Sequence, residues 1–286
     1  MKKYFSLVLF AHSIFALPFA FIGFFLAVNT TEYAFSWVKL LLMLLCMVLA
    51  RNAAMAFNRF LDRDIDILNP RTAQRDIPAG RIRPKQALGF TLLNAGLFIV
   101  ATYFINSLCF YLSPIALLVI LGYSYTKRFT PLCHLVLGLG LGLAPVGAYL
   151  VMTNGFHAIP ILYGLAVLFW VSGFDIIYAL QDEEFDRKHH LHSIPVLLGK
   201  KNALRFSSCL HVCSALFVII PIWLMPVGFL YYLGVAFYIG LLIYQHSIVS
   251  PQDLSRVDRA FMTSNGIASV VFSLCYLLDI FLPQVF

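Results

Sequence analysis

The run FSWVKLLLMLLCMVLARNAAMAF fills residues 35–57 and passes without a turn former into Asn58-Arg59-Phe60-Leu61-Asp62-Arg63-Asp64-Ile65-Asp66. Within the run only Lys39 and Arg51 carry charge. About 20 apolar residues, at a rise of about 1.5 Å each, cross the hydrocarbon core of a bilayer. Every backbone amide there must find its partner inside the segment, so the run is expected to cross as a helix. The abrupt change at Asn58, from an apolar span to a dense alternation of acid and base, marks where that helix meets water.

The rest of the chain repeats this pattern. Of its 286 residues 61% are hydrophobic and 12% charged, and the mean hydropathy is +0.86, which excludes an ordinary soluble domain. Apolar runs fall at about 5–28, 35–57, 86–106, 109–126, 132–152, 160–180, 204–224, 228–247 and 261–282. Their length fits helices rather than the alternating strands of a barrel. The expected fold is an all-α integral membrane protein, a bundle of about nine transmembrane helices with two Asp-rich cytoplasmic motif loops, forming a single polytopic domain over residues 1–286. The first run follows Lys2 and Lys3 as a secretory signal would, but it is too long for a cleaved segment, and no small-residue cleavage site follows it.

Two long polar segments, at about 58–85 and 181–203, each follow an even-numbered span. This hints at a weak internal duplication with halves near 1–130 and 131–286. Nearly every Lys and Arg lies in connections on that one face, Lys39 excepted, so the positive-inside rule places this face and the N-terminus in the cytoplasm and Phe286 outside. The net charge of +7 is thus membrane topology, and no nucleic-acid partner is expected. Six cysteines, Cys209 and Cys213 included, lie in or beside apolar runs with no metal-ligand spacing and read as small hydrophobes.

Asn58, Asp62 and Asp66 recur every four residues and therefore share one side of a helix. Asp175 and Asp182, seven apart, are two turns from each other on another. Carboxylates gathered beside a bilayer repel one another and resist desolvation unless cations compensate. Mg²⁺ takes hard oxygen ligands and is held by one or two carboxylates together with substrate phosphates. Two Asp clusters bridging a diphosphate through Mg²⁺ therefore make chemical sense. Interleaved Arg59, Arg63, Arg71 and Arg75, with Lys127 and Arg128, supply fixed positive charge for the remaining oxygens. Asp64, Asp76, Glu183, Glu184, Lys200 and Lys201 read as solvated charges, and Asp186 falls between the two classes.

Asn58-x-x-x-Asp62-x-x-x-Asp66 and Asp175-x-x-Tyr178-x-x-x-Asp182 resemble the paired signatures of the UbiA superfamily of intramembrane prenyltransferases. The likeness extends to Asn69-Pro70-Arg71-Thr72-Ala73, to Pro78-Ala79-Gly80-Arg81 and to the Tyr123-x-x-x-Lys127 spacing, and so covers nearly the whole chain. It looks most like the 4-hydroxybenzoate polyprenyltransferases of ubiquinone and menaquinone (quinone) biosynthesis, Gly173-Phe174-Asp175 through Gln181-Asp182 being typical of that branch. Relatives that prenylate a futalosine-derived carboxylate or a naphthoate carry very similar segments.

The resemblance implies an Mg²⁺-dependent transferase acting on polyprenyl diphosphate and an aromatic acid, within the lipid bilayer. Asn58, Asp62, Asp66, Asp175 and Asp182 would hold Mg²⁺ and the diphosphate, the four aspartates being the catalytic set. Arg63, Lys127 and Arg128 would form a basic clamp, and Tyr123 and Tyr178 would donate hydrogen bonds. Arg51, two turns before Asn58, would either meet the acceptor's carboxylate, as the family places an Arg at this spacing, or snorkel to the interface. The 27 Phe and 14 Tyr offer ring faces to an allylic cation, although most are expected to pack or to face lipid.

Other features read more weakly. His189, His190 and His192 are expected to form a solvated loop rather than a metal site. Asp279, inside the last apolar run, is either functional or placed near the outer interface. A secondary transporter is the alternative from another class, since intramembrane acids also mark ion pathways. The lack of an Arg-rich, acid-poor leader favours a bacterial inner membrane over an organelle.

Overall fold

In the computed structural model residues 14–282 are described, and all regular structure among them is helical. The helices are α1 (Leu17–Thr30), α2 (Trp37–Asp66), α3 (Pro84–Tyr103), α4 (Ser107–Thr126), α5 (Cys133–Thr153), α6 (Ala158–Ala179), α7 (Glu183–Lys188), α8 (Ile194–Ile219), α9 (Phe229–Ser247) and α10 (Asn265–Phe281). Short 3₁₀ turns, Leu180–Asp182 and Ile220–Trp223, follow α6 and α8, and a π-helical turn, Arg259–Ser264, leads into α10. Among the described residues eight helical segments are long and apolar enough to cross a membrane, and the shorter apolar α1 precedes them. The nine spans expected from the sequence are thereby accounted for, although the expected start of the first, Phe5, and the terminal Phe286 lie outside the described residues.

Two compact units divide the chain. The described part of the first covers residues 36–126 and contains α2, α3 and α4. Ser36 caps α2 by accepting from Lys39 N, and the helix then runs for 30 residues. At about 1.5 Å per residue it is about 45 Å long, against a hydrocarbon core of about 30 Å. Its last turns therefore project past the core, and the motif Asn58/Asp62/Asp66 rides on them. The helix runs on through the polar stretch as far as Asp66, as the four-residue spacing of Asn58, Asp62 and Asp66 requires. Asn52 Nδ2 donates to Asn94 Oδ1 (3.1 Å), tying α2 to α3 at membrane depth. Ala56, Ile77, Ile82 and Ala87 form a small core under the connection that follows α2.

That connection is tightly organised. Asn69 Oδ1 accepts from Arg71 N (3.0 Å), and the Thr72 hydroxyl donates to Asp66 O (3.0 Å). Asp76, expected to be solvated, instead pairs at 2.6 Å with Arg81 Nε and is largely buried. Gly80 takes a positive φ of 73°, a conformation few other residues tolerate.

The second unit joins residues 14–35 to residues 127 onward. Here α5 and α6 approach so closely that a Cβ on Gly142 would meet Gly164 O, and one on Gly138 would meet Leu168 O. Small residues at such a crossing let backbones touch where no hydrophobic effect drives association. α1 lies against α5 in the same way, a Cβ on Gly23 meeting Pro145 O. The core is aromatic, with Phe19, Trp170, Tyr238 and Phe272 fully buried. Many polar groups inside it are paired: Trp170 Nε1 donates to Asn265 Oδ1 (2.7 Å), and His211 and His246 meet at 2.7 Å.

Asp279 is settled by its contacts. It accepts from the backbone N–H groups of Gly228 (2.6 Å), Leu230 (3.1 Å) and Tyr231 (3.3 Å), capping the start of α9. The polar stretch 181–203 is also largely helical, for α8 begins at Ile194 and bends at Gly199, whose φ is +73°.

Candidate active site

In the first unit the acidic motif is arranged by its own helix. Asn58 Nδ2 donates to Asp62 Oδ2 (2.8 Å), one turn apart as the four-residue spacing requires. Asp66 is buried; its Oδ1 meets Arg75 Nη1 at 2.7 Å, while its Oδ2, equally buried, has no hydrogen-bond partner among the described residues. A buried carboxylate oxygen left in this state is costly unless a cation completes it.

The arginines of the motif divide into two kinds. Arg63 turns back on its own helix, donating to Phe60 O (2.7 Å), lying over the Phe60 ring at 4.8 Å and pairing with exposed Asp64 at 3.3 Å. Arg59 is buried and interacts electrostatically with Asp62, Asp66, Arg75 and Tyr123. Arg51 also interacts with Tyr123, which brings three residues of different expected roles into one neighbourhood of α2 and α4. The sequence reading chose Arg63 for the clamp; the geometry brings Arg59 into the field of the carboxylates.

In the second unit Asp175 lies near the end of α6 with its side chain partly exposed, and its Oδ2 is 2.6 Å from His134 Nδ1. Asp182 is buried in the 3₁₀ turn that follows. Asp186, on α7, is fully buried and sits 2.7 Å from Lys127 Nζ. Lys127 O accepts from His192 N (2.8 Å), so the lysine is fixed at both ends of its residue. Tyr178 stacks on Phe261, ring centroids 4.3 Å apart, and Arg128 is half-buried. Glu183, expected to be solvated, pairs with Arg187 at 2.7 Å and is mostly buried.

The sequence reading missed His134 and left Asp186 undecided. Four-residue spacing from Asp182 to Asp186 is the signal that would have promoted the second; nothing local marks His134, because its partner is 41 residues away. His189 Nδ1 contacts Phe185 O at 2.9 Å and its ring stacks on Phe185.

Among the described residues no group of three or more His, Cys, Asp or Glu stands ready to hold a metal unaided. That suits Mg²⁺, which needs only one or two carboxylates when phosphate oxygens and water supply the rest. Hard oxygen donors at Asn58, Asp62 and Asp66, with the unpartnered Oδ2, fit such an ion.

A family model described as the UbiA prenyltransferase family matches residues 16–267. The 4-hydroxybenzoate octaprenyltransferase of Saccharophagus degradans is 31% identical over 237 residues, 82% of this chain and 79% of that protein. The apo structure of a UbiA homolog from Aeropyrum pernix K1 matches with a TM-score of 0.85 and 32% identity, covering 94% of this chain and 98% of that one. A UbiA homolog from Archaeoglobus fulgidus, bound to GPP and Mg²⁺, matches with a TM-score of 0.78 over 98% of this chain and 100% of that one; at 21% identity this likeness speaks to the fold alone.

Proposed function

The chain belongs to the UbiA prenyltransferase family and is a membrane-embedded transferase, and from this premise we propose that it moves a polyprenyl group from polyprenyl diphosphate to 4-hydroxybenzoate in quinone biosynthesis, with Mg²⁺ as its cofactor. The observation that carries the reading is the placing of Asn58/Asp62/Asp66 and of Asp175/Asp182 on helix ends inside the family match. The acceptor is read from the relatives, which share the name over four-fifths of the chain.

The reaction breaks the allylic C–O bond of the donor, its electron pair leaving with the diphosphate. A ring carbon of the acceptor then bonds to the prenyl carbon and gives up its proton. Bound Mg²⁺ would neutralise charge on the departing diphosphate, held by Asn58, Asp62, Asp66, Asp175 and Asp182. The chain's own groups prepare this. Asn58 orients Asp62 through its amide, and Arg75 keeps one Asp66 oxygen engaged while the other, without a hydrogen-bond partner among the described residues, would be available to the ion. Arg59, Lys127 and Arg128 offset the charge that accumulates as the bond breaks, with Tyr123 and Tyr178 donating hydrogen bonds, while Arg63, expected in this clamp, is turned back on its own helix. Arg51 takes the acceptor's carboxylate, fixing which ring carbon is presented. Apolar surroundings keep water from the allylic cation until the aromatic carbon reaches it.

The placing of basic residues supports reading the motif ends and the N-terminus as cytoplasmic, and the bacterial relatives support an inner membrane as the setting. The transporter alternative falls with the family assignment. The acceptor is tested by supplying purified protein with geranyl diphosphate and Mg²⁺ and, in turn, 4-hydroxybenzoate, a dihydroxynaphthoate and a futalosine-derived acid. Prenylation of 4-hydroxybenzoate at least about tenfold faster than of either alternative supports the reading; preference for another acid moves the enzyme to a different quinone route with the same chemistry.

A further inference from the structure

The second unit buries a histidine, His134, against Asp175, a motif aspartate that stays partly exposed while Asp182 of the same unit is buried. His134 is the second residue of α5; its ring is held at both nitrogens and its backbone carbonyl by a third contact. The backbone N–H of Ile194, at the start of α8, donates to Nε2 (3.4 Å), which leaves Nδ1 as the nitrogen that carries the proton and donates to Asp175 Oδ2 (2.6 Å). The carbonyl of His134 accepts from Ser172 Oγ on α6 (3.1 Å). The close α5–α6 crossing at Gly138 and Gly142 is what lets so short a side chain span the two helices.

We propose that His134 is the positioning residue for Asp175, holding one carboxylate oxygen in a buried hydrogen bond so that the other is presented, in a fixed rotamer, to the Mg²⁺–diphosphate. This rests on the reading of Asp175 as a ligand given above. The chemistry is the mirror of a carboxylate that orients a metal-bound histidine: the imidazole fixes the carboxylate's orientation from outside the coordination sphere. It also explains why a buried histidine at the start of α5 has both ring nitrogens committed, since an imidazole used only to fill space would leave a buried N–H unpaired. Removing such an outer partner costs about 10–100-fold in metal affinity or activity in known metal sites.

The test is Mn²⁺ binding, followed by electron paramagnetic resonance on purified protein with geranyl thiodiphosphate, an unreactive donor, beside the Mg²⁺ dependence of prenyl transfer. His134→Ala is expected to weaken Mn²⁺ binding about tenfold or more and to raise the Mg²⁺ concentration for half-maximal rate in parallel. His134→Asn, whose amide N–H falls near the position of Nδ1, is expected to recover to within about threefold of wild type, whereas His134→Gln, which places its donor near Nε2, is not. Should His134→Ala fail to fold, the Asn and Gln variants carry the comparison, and equal loss in both would mean the histidine only props α5 against α6. Wild-type Mn²⁺ affinity in His134→Ala, with Asp175→Asn impaired, overturns the proposal and leaves Asp175 as a ligand. Wild-type affinity in Asp175→Asn overturns the ligand reading itself, and the proposal with it.

Discussion

Arg51, Arg59 and Arg63 lie on one helix within four turns, yet the structure gives each a different environment. Arg59 is buried among Asp62, Asp66 and Tyr123, while Arg63 leans on Phe60 and Asp64. Removing Arg59 takes a buried cation out of the field of the two carboxylates, so Arg59→Met is expected to lower kcat/KM for the donor by about 100-fold, the order of effect of leaving buried charge uncompensated. Arg63→Met should cost less than about fivefold, as exposed pairs contribute little. Steady-state kinetics with varied geranyl diphosphate separates these outcomes, and an order reversed between the two variants would restore Arg63 to the clamp. Arg51→Ala should raise the acceptor KM about tenfold and leave the donor KM within about twofold; equal effects on both would remove Arg51 from the acceptor site. The spacing of Asn58, Asp62 and Asp66 was legible in the sequence because one helix carries all three. The assignment of Arg59 over Arg63 was not, since helical periodicity gives a direction but not the depth of a side chain. His134 and Asp186 were hidden for a related reason: each is defined by a partner on another element, with His134 reaching across to Asp175 and Asp186 to Lys127.

The elements differ from the hydropathy reading mainly at their ends. α2 continues through the acidic motif, and α8 starts ten residues before its apolar run at 204. Hydropathy finds the part of a helix that lies in lipid; it cannot see the turns that extend into water, where hydrogen bonds and caps take over. Ser36, Ser193 and the pairing of Arg83 with Gln86 are such caps, each satisfying backbone donors that the helix cannot. Asp279 shows the same principle on a larger scale, since an acid inside an apolar run looked functional or interfacial and proves to cap α9 from α10. Asp279→Ala should therefore lower stability by about 1–2 kcal/mol, as loss of a helix cap does, while leaving kcat unchanged. Thermal unfolding in detergent together with the transfer assay checks this; a large fall in kcat at unchanged melting temperature would give Asp279 a part in catalysis after all.

At the scale of the whole molecule the membrane class was readable from composition and the helical fold from the length of the apolar runs, because lipid leaves a backbone few options. The family was readable from two short motifs, and the match over residues 16–267 bears it out. The division of the chain into residues 36–126 and residues 14–35 with 127 onward was not readable, since nothing local tells the first apolar run to group with the later ones. Function rests on the chemistry of the two carboxylate sets, and it is tested most directly by prenyl transfer itself. Membranes containing the protein are given geranyl diphosphate, Mg²⁺ and 4-hydroxybenzoate, alongside Asp62→Ala, Asp175→Ala and an EDTA control. The account predicts prenylated 4-hydroxybenzoate from the wild type, abolished by EDTA and reduced at least about 1000-fold in each variant, as expected when charge on the leaving group loses its stabilisation. Full activity in EDTA, or in either variant, would contradict it.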